Sequence, residues 1–346
     1  MNKDRLLDIF SKITKEEKPT NFHYNSKVLI IDGMNTFLRS FAVVDRMNLL
    51  GHHIGGLVGF LRSIGSAIKT LNPTRVIIVF DGEAGSMNRK YLYNGYKANR
   101  DNQRIVNFKS FTDKDEEDDS KYNQASRLID YLNFLPVTCI AIDKLEADDI
   151  IGYLCGKLYE DYNDSEIYVM STDKDFMQLV NPRVKVYSPS KKKIYHVQDV
   201  LEEFGVHPNN FLIYKTLLGD TSDNIPGVSG FGEKNTLKLF DFMAEEESRS
   251  LEQLYEVCEN PKQKSVLYDR ILNTKKMVEI FYKIMNLKEP NISDVDLQDI
   301  EMQLYQKHKE LKKFEFIKLY QHDKMGDIIP NLDTWLNLFS VLNSYK

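Results

Sequence analysis

The sequence predicts an α/β fold whose mostly parallel central sheet is flanked by helices. Two observations carry the prediction. Four apolar runs rich in β-branched residues, at 28–31, 76–80, 137–142 and 167–170, are short and do not alternate with polar residues, the pattern of strands buried on both faces. Each run then stops at an acidic or turn-forming word: Asp32-Gly33, Asp81-Gly82, Asp143 and Ser171-Thr172-Asp173. A single Asp-Gly after a strand is ordinary turn chemistry. An aspartate at the end of strand after strand is not.

In an open α/β sheet the carboxyl ends of parallel strands share one edge, where ligands bind. Asp32, Asp81, Asp173 and Asp175 therefore converge there. Three acidic words follow in order: Glu146-Ala147-Asp148-Asp149, Ser171-Thr172-Asp173-Lys174-Asp175 and Gly219-Asp220-Thr221-Ser222-Asp223-Asn224. Any one of them reads as a helix cap or a solvated turn. Ionised carboxylates cannot be buried unpaired, and three such words at segment ends point to one site for divalent cations, which take hard oxygen ligands.

Composition is that of an ordinary globular protein: 346 residues, 42% hydrophobic and 28% charged. No apolar run approaches the roughly 18 residues that span a bilayer, and residues 1–18 mix both charge signs without an apolar core, so the expectation is a cytoplasmic protein with no membrane role. Cys139, Cys155 and Cys258 fit neither a zinc motif nor a disulfide framework and read as core residues. A net charge of −5 taken as a whole opposes nucleic-acid binding. The bases nevertheless gather in blocks: Arg89, Lys90, Lys97, Arg100, Arg104 and Lys109, then Arg183, Lys185, Lys191, Lys192 and Lys193. Such runs are solvated faces or phosphate contacts, and their nearness to the acidic words favours phosphate.

Residues 86–120 interrupt the α/β alternation. This stretch interleaves the first basic block with Tyr91, Tyr93, Tyr96, Phe108 and Phe111, a composition suited to single-stranded nucleic acid, and ends in an acidic run, 113–119, expected to be mobile. Further on, Gly227-Val228-Ser229-Gly230-Phe231-Gly232-Glu233-Lys234 precedes a helical pattern. Its glycines let backbone approach a ligand, and Lys234 adds a point charge for phosphate.

Taken in order, Asp32-Gly33, Arg39, Phe80-Asp81-Gly82, Gly95-Tyr96-Lys97-Ala98-Asn99-Arg100, the three acidic words and the 227–232 glycine segment resemble the 5′-nuclease family. That family includes the 5′-nuclease domain of bacterial DNA polymerase I, cellular flap endonucleases and stand-alone phage 5′-nucleases, one of them called ribonuclease H. The likeness covers residues 28–240, and the overall length looks most like the phage branch. It implies a PIN-like 5′-nuclease core at 27–200 with a helical gateway insertion at 86–120. An extension at 1–26, a helix-turn-helix duplex-binding region at 201–245 and a helical C-terminal region at 246–346 complete the chain.

The resemblance also implies roles. Asp32, Asp81, Glu146, Asp148 and Asp173 would serve one metal, Asp175, Asp220 and Asp223 a second, with Asp149 close by. Lys97 and Arg100 would contact the scissile phosphate from the gateway, and Arg39 a neighbouring one. Gly227, Val228, Gly230, Gly232 and Lys234 would hold duplex, with K⁺ on backbone carbonyls in relatives. Tyr96 would either stack a flipped nucleotide or pack the gateway. Two Mg²⁺ or Mn²⁺ ions about 4 Å apart would clamp the phosphodiester.

The implied activity is 5′-3′ exonuclease and flap endonuclease action on DNA with 5′ flaps, nicks or RNA primers, including RNA-DNA hybrid, by a monomer in DNA replication. A catalytically silent nucleic-acid-binding protein on the same fold and a PIN-type ribonuclease are the competing readings. The second is disfavoured by the glycine segment. At the C-terminus, Leu332, Trp335, Leu336, Phe339, Val341 and Leu342 form an apolar face that packs or docks a partner, such as a single-stranded DNA-binding protein or another replication protein.

Overall fold

The computed structural model describes residues 24–100, 104–307 and 309–344. Most of the expected extension at 1–26 lies outside them. Six strands form one sheet, β1 (Lys27–Asp32), β2 (Arg75–Val79), β3 (Thr138–Ile140), β4 (Glu166–Met170), β5 (Val184–Ser188) and β6 (Lys193–Tyr195), in the order β3-β2-β1-β4-β5-β6. All neighbours are parallel except the β5–β6 pair at the edge. The fold is therefore the mostly parallel α/β sheet with flanking helices that the sequence predicts.

Because successive side chains of a strand point to opposite faces, each buried run feeds two apolar layers. Val28, Ile30, Ile77, Val79, Ile167 and Val169 pack on one face. Leu29, Ile31, Val76, Ile78, Tyr168 and Met170 pack on the other, beneath α1 (Gly33–Val43) and α2 (Gly55–Leu71). Then come α3 (Met87–Leu92), α4 (Lys114–Leu132), α5 (Ala147–Asp161) and α6 (Val197–Phe204), the fifth covering the first face through Ile150, Ile151, Leu154 and Leu158. Helices α7 (Phe211–Leu218) and α8 (Glu233–Leu239) flank the glycine-rich turn. Beyond them lie α9 (Leu251–Glu259), α10 (Val266–Asn273), α11 (Lys275–Met285), α12 (Asp294–Leu304), α13 (Lys313–His322) and α14 (Leu332–Ser340). No helix among the described residues is long and apolar enough to cross a membrane.

Three local expectations are corrected. The acidic run 113–119 is the start of α4: Asp113 caps it through the Glu116 amide, and Glu117, fully buried, accepts the amides of Val106 and Asn107 and pairs with Lys121 at 2.8 Å. Acids in a first turn also suit the positive end of the helix dipole, so the run orders the chain instead of hanging free. Four of the five cations in the second basic block have partners within the protein, and Lys192 is exposed. Arg183 donates to the carbonyls of Tyr159, Tyr162 and Asn163 at the end of α5, Lys185 pairs with Glu166, and Lys191 and Lys193 pair with Glu203. Among the described residues of 86–120, helix is confined to α3 and the beginning of α4.

The apolar face of α14 packs. Trp335, Leu336, Phe339 and Leu342 are buried in the second layer, and a Cβ built on Gly65 of α2 would come within 2.2 Å of the Trp335 indole nitrogen.

Candidate active site

The strand register sets the site. Ile31 lies opposite Met170 and Asp32 opposite Val79, so Asp32, Asp81 just past β2, and Ser171 with Asp173 just past β4 reach one edge. Asp32 is only 8% exposed. It accepts the Asn35 amide at 3.1 Å and the Ser171 hydroxyl at 3.0 Å. Those bonds do not offset its burial, which the nearby Asp81 and Asp148 reinforce, and its pKa is pushed up to about 7.

Asp81 accepts the Ala147 amide at 2.8 Å, tying the end of β2 to the start of α5. Glu146 stands at the N-cap position of that helix without a side-chain capping bond, and Asp148 and Asp149 lie in its first turn. Arg89, buried on α3, joins all three: it reaches Glu146 at 2.5 Å, Asp148 at 2.7 Å and Asp149 at 2.7 Å. Lys97 adds a second cation on Glu146 at 2.5 Å. Burial would raise Glu146, but Arg89 and Lys97 outweigh it and hold the acid below its ordinary range.

On the other flank, Lys215 of α7 bridges Asp175 and Asp220, both at 2.8 Å. Against burial, Lys215 and Ser222 draw Asp220 down to about 2. Asp223 accepts Arg100 at 2.9 Å and the Tyr96 hydroxyl at 3.1 Å. The turn carrying Lys97 is pinned to the turn carrying these acids by Lys97 N to Asp223 O at 2.8 Å, Asn99 to Thr221 O at 2.8 Å and Asn224 to Gly95 O at 2.7 Å.

The structure thus brings Asp32, Asp81, Glu146, Asp148, Asp149, Asp173, Asp175, Asp220 and Asp223 to the region expected of them, with Lys97 and Arg100. Those two cations stand on the turn after α3, not in a helix. Arg39 sits on α1, where its buried Nε has no hydrogen-bond partner among the described residues. Of the two readings of Tyr96, the geometry favours packing over stacking: its ring is fully buried among Leu212, Ile225, Phe281, Ile284 and Met285 and has no face for a base. Of the five interleaved aromatics, Tyr91 (89% exposed) and Phe108 (67%) are open, Tyr93 is half-buried, and Phe111 is buried.

Sequence reasoning missed the roles of Arg89 and Lys215. Nothing distinguishes Arg89 from its basic neighbours. Lys215 does carry a signal, being the one charge in the apolar run Phe211-Leu212-Ile213-Tyr214-Lys215-Thr216-Leu217-Leu218, where a cation needs a buried partner.

No three acidic, histidine or cysteine side chains among the described residues are gathered into a ready-made ion cage; Arg89, Lys97, Arg100 and Lys215 pair with several of the acids. The donor set still fits Mg²⁺ or Mn²⁺. It consists of oxygen ligands, and Asp32 is a buried acid whose partners do not compensate its charge.

The glycine segment is a hairpin between α7 and α8. Gly227, at φ +63°, lies where a Cβ would come within 2.5 Å of the Gly219 nitrogen, so this glycine serves a backbone crossing. The Val228 side chain is buried. Ser229 O accepts Arg270 of α10 at 2.9 Å, Gly230 O accepts Asn235 at 2.7 Å, and Gly232 O accepts the Thr236 amide at 3.0 Å. These carbonyls are a poor fit for K⁺, because a guanidinium already stands on one of them.

An acid-rich edge of a parallel sheet, overhung by an insertion and followed by helices, defines a PIN-like, resolvase-type nuclease fold. Residues 27–205 match the family described as 5′-3′ exonuclease, N-terminal resolvase-like domain, and residues 206–308 match 5′-3′ exonuclease, C-terminal SAM fold. The chain belongs to the 5′-3′ exonuclease family. It is 28% identical to a 5′-3′ exonuclease of Buchnera aphidicola over 81% of this chain and 93% of the relative. It is 33% identical to that of Bacillus subtilis over 62% and 70%. Among solved structures, the bacteriophage T5 D15 flap endonuclease, in a pseudo-enzyme–product complex with DNA and metal ions, aligns with a TM-score of 0.62 at 19% identity, over 85% of this chain and 99% of that one. That likeness supports the shared fold.

Proposed function

We propose that this family member is a Mg²⁺- or Mn²⁺-dependent 5′-3′ exonuclease and flap endonuclease. It would act on DNA with 5′ flaps or nicks and on RNA primers held in RNA-DNA hybrid, removing them in DNA replication, in a phage as the resemblance implies. One observation carries the reading: ion pairs through Lys97, Arg100 and Lys215 join carboxylates from three separate stretches, 146–149, 173–175 and 220–223, at the sheet edge where β1 and β2 deliver Asp32 and Asp81.

Asp32, Asp81, Glu146, Asp148 and Asp173 would hold one ion, and Asp175, Asp220 and Asp223 the other. When bound, such ions supply Lewis acidity and a nucleophilic hydroxide at neutral pH. The chain's own groups do the rest. Lys97 and Arg100, displaced from Glu146 and Asp223, place positive charge where the phosphodiester gathers negative charge, help worth about 3 kcal/mol at well-studied sites. Arg39, with its unpartnered buried nitrogen, takes an adjacent phosphate. Arg89 stays with Asp149 and keeps the start of α5 in place. Exposed Tyr91 and Phe108 offer faces to single-stranded bases, and Lys234 on the hairpin contacts duplex phosphate.

The division into a nuclease core at 27–200, a duplex-binding region at 201–245 and a helical remainder at 246–346 belongs to the same proposal. So do a monomeric state, a cytoplasmic site of action and a replication partner meeting the 246–346 surface away from the packed face of α14. The test is a side-by-side digestion of a 5′-labelled DNA flap and a matched RNA-DNA duplex, with Mg²⁺ or EDTA. Metal-dependent release of short 5′ products from both supports the reading. Cleavage that persists in EDTA, or binding with no cleavage in either metal, refutes it.

A further inference from the structure

We infer that the Arg270 guanidinium is the resident cation of the 227–232 hairpin, so that duplex binding by this chain is indifferent to which monovalent cation the salt supplies. The inference rests on the proposed reading of the hairpin as a duplex grip. It begins with the carbonyls. Val228 O accepts the Phe231 amide at 2.9 Å, Ser229 O accepts Arg270 Nη1 at 2.9 Å, Gly230 O accepts Asn235 Nδ2 at 2.7 Å, and Gly232 O accepts both the amide and the hydroxyl of Thr236 at 3.0 Å. Each of these four oxygens already has a protein donor, and one donor is permanently charged.

The guanidinium has a bed made for it. Gly230 is in the left-handed region at φ +87°, and a Cβ there would come within 2.5 Å of Arg270 Nη1 and 2.8 Å of Leu267 Cδ2. Glycine suits this positive φ, and its missing side chain leaves the tips of Arg270 and Leu267 room over the turn. A metal ion sharing the Ser229 carbonyl would sit against a fixed like charge, which Coulomb repulsion at contact distance disfavours. Arginine suits the place because its planar fork is weakly hydrated and holds its charge at any working pH. Arg270 remains exposed, so the other N–H groups of the fork are open to a duplex phosphate, a contact for which this geometry is well matched.

The experiment measures Kd of the full chain for a blunt DNA duplex by fluorescence anisotropy in EDTA, comparing potassium, sodium and tetramethylammonium chloride at one ionic strength. The wild-type protein is expected to bind equally, within about twofold, in all three salts, a comparison that needs no variant. Arg270→Ala is expected to bind about five- to tenfold more weakly in tetramethylammonium, the scale of one charge-assisted contact. Potassium should recover part of that loss, since the freed carbonyl can then accept an ion. Wild-type binding several-fold tighter in potassium than in tetramethylammonium overturns the inference. So does an Arg270→Ala protein that binds as tightly as wild type. Lys234→Ala run in parallel separates two failures: if neither variant weakens duplex binding, the hairpin is not the grip, whereas a weakened Lys234→Ala beside a potassium-selective wild type removes only the role given to Arg270.

Discussion

Asp32→Asn should stabilise the metal-free protein while abolishing cleavage, and the gain should grow with pH. Asp32 is 8% exposed, and its carboxyl is pushed from 3.8 to about 7 by burial, with Asp81 and Asp148 adding to the shift. A raised carboxylate pKa means that the native state holds the proton more tightly than the unfolded chain does. Its cost is therefore absent below pH 4, develops as pH rises through the interval between the two values, and is complete above 7. About three units at 1.36 kcal/mol each give roughly 4 kcal/mol at pH 8 and roughly 2 kcal/mol at pH 5. An asparagine keeps an acceptor for the Asn35 amide and carries no charge at either pH. Urea unfolding in EDTA at pH 5 and pH 8 measures the difference: relative to the variant, wild type should lose on the order of 2 kcal/mol across that interval. Added Mg²⁺ should stabilise wild type more than the variant, because the ion neutralises the charge that burial penalises. A stability gap that is the same at both pH values, or an Asn variant less stable than wild type at pH 8, would refute the reasoning.

Other perturbations test other parts of the site. Lys97→Ala should lower the single-turnover cleavage rate about a hundredfold or more while changing duplex affinity little, the signature of a group that acts in the transition state; a variant altered only in affinity would move Lys97 out of the chemistry. Arg89→Gln leaves Glu146, Asp148 and Asp149 without their shared cation and should cost about 3–5 kcal/mol of metal-free stability, read by denaturant unfolding; an unchanged midpoint contradicts the bridging role. Glu117→Ala strips the Val106 and Asn107 amides of their acceptor and should lower stability by about 2 kcal/mol or more. Neutralising Asp115, Glu116, Asp118 and Asp119 together should leave the rate of association with single-stranded DNA at low salt unchanged; faster association would show that the run repels single strands.

The sheet and the acids were legible because both follow from local rules. Short β-branched runs announce buried strands, and strand direction then puts Asp32, Asp81 and Asp173 at one edge without any knowledge of packing. What failed depends on partners distant in sequence. Glu117 looks like one more acid in a charged run until Val106 and Asn107 arrive to bond it, and Arg183 and Lys185 look like phosphate ligands until the end of α5 and Glu166 claim them. Tyr96 is an aromatic beside a key lysine, but α7 and α11 bury its ring, and residues more than a hundred positions away cannot be read from its neighbours. Strands β5 and β6 escaped notice for a related reason: their lysines masked a strand pattern that the antiparallel β5–β6 pair satisfies at the sheet edge.

The bonds joining residues 95–100 to residues 221–224 make those two turns one mechanical unit. One turn bears the cations set over the acids, and the other opens the segment that leads into the hairpin. Whatever fixes the hairpin also restrains Lys97 and Arg100, and by thermodynamic reciprocity whatever draws those cations toward a phosphate tightens the hairpin on its ligand. A substrate held at only one end would leave the other half of this unit unrewarded. If the hairpin grips duplex and the two cations grip the 5′ strand, as proposed, a molecule of this build would weigh a junction as a whole, responding to both together more than to either alone.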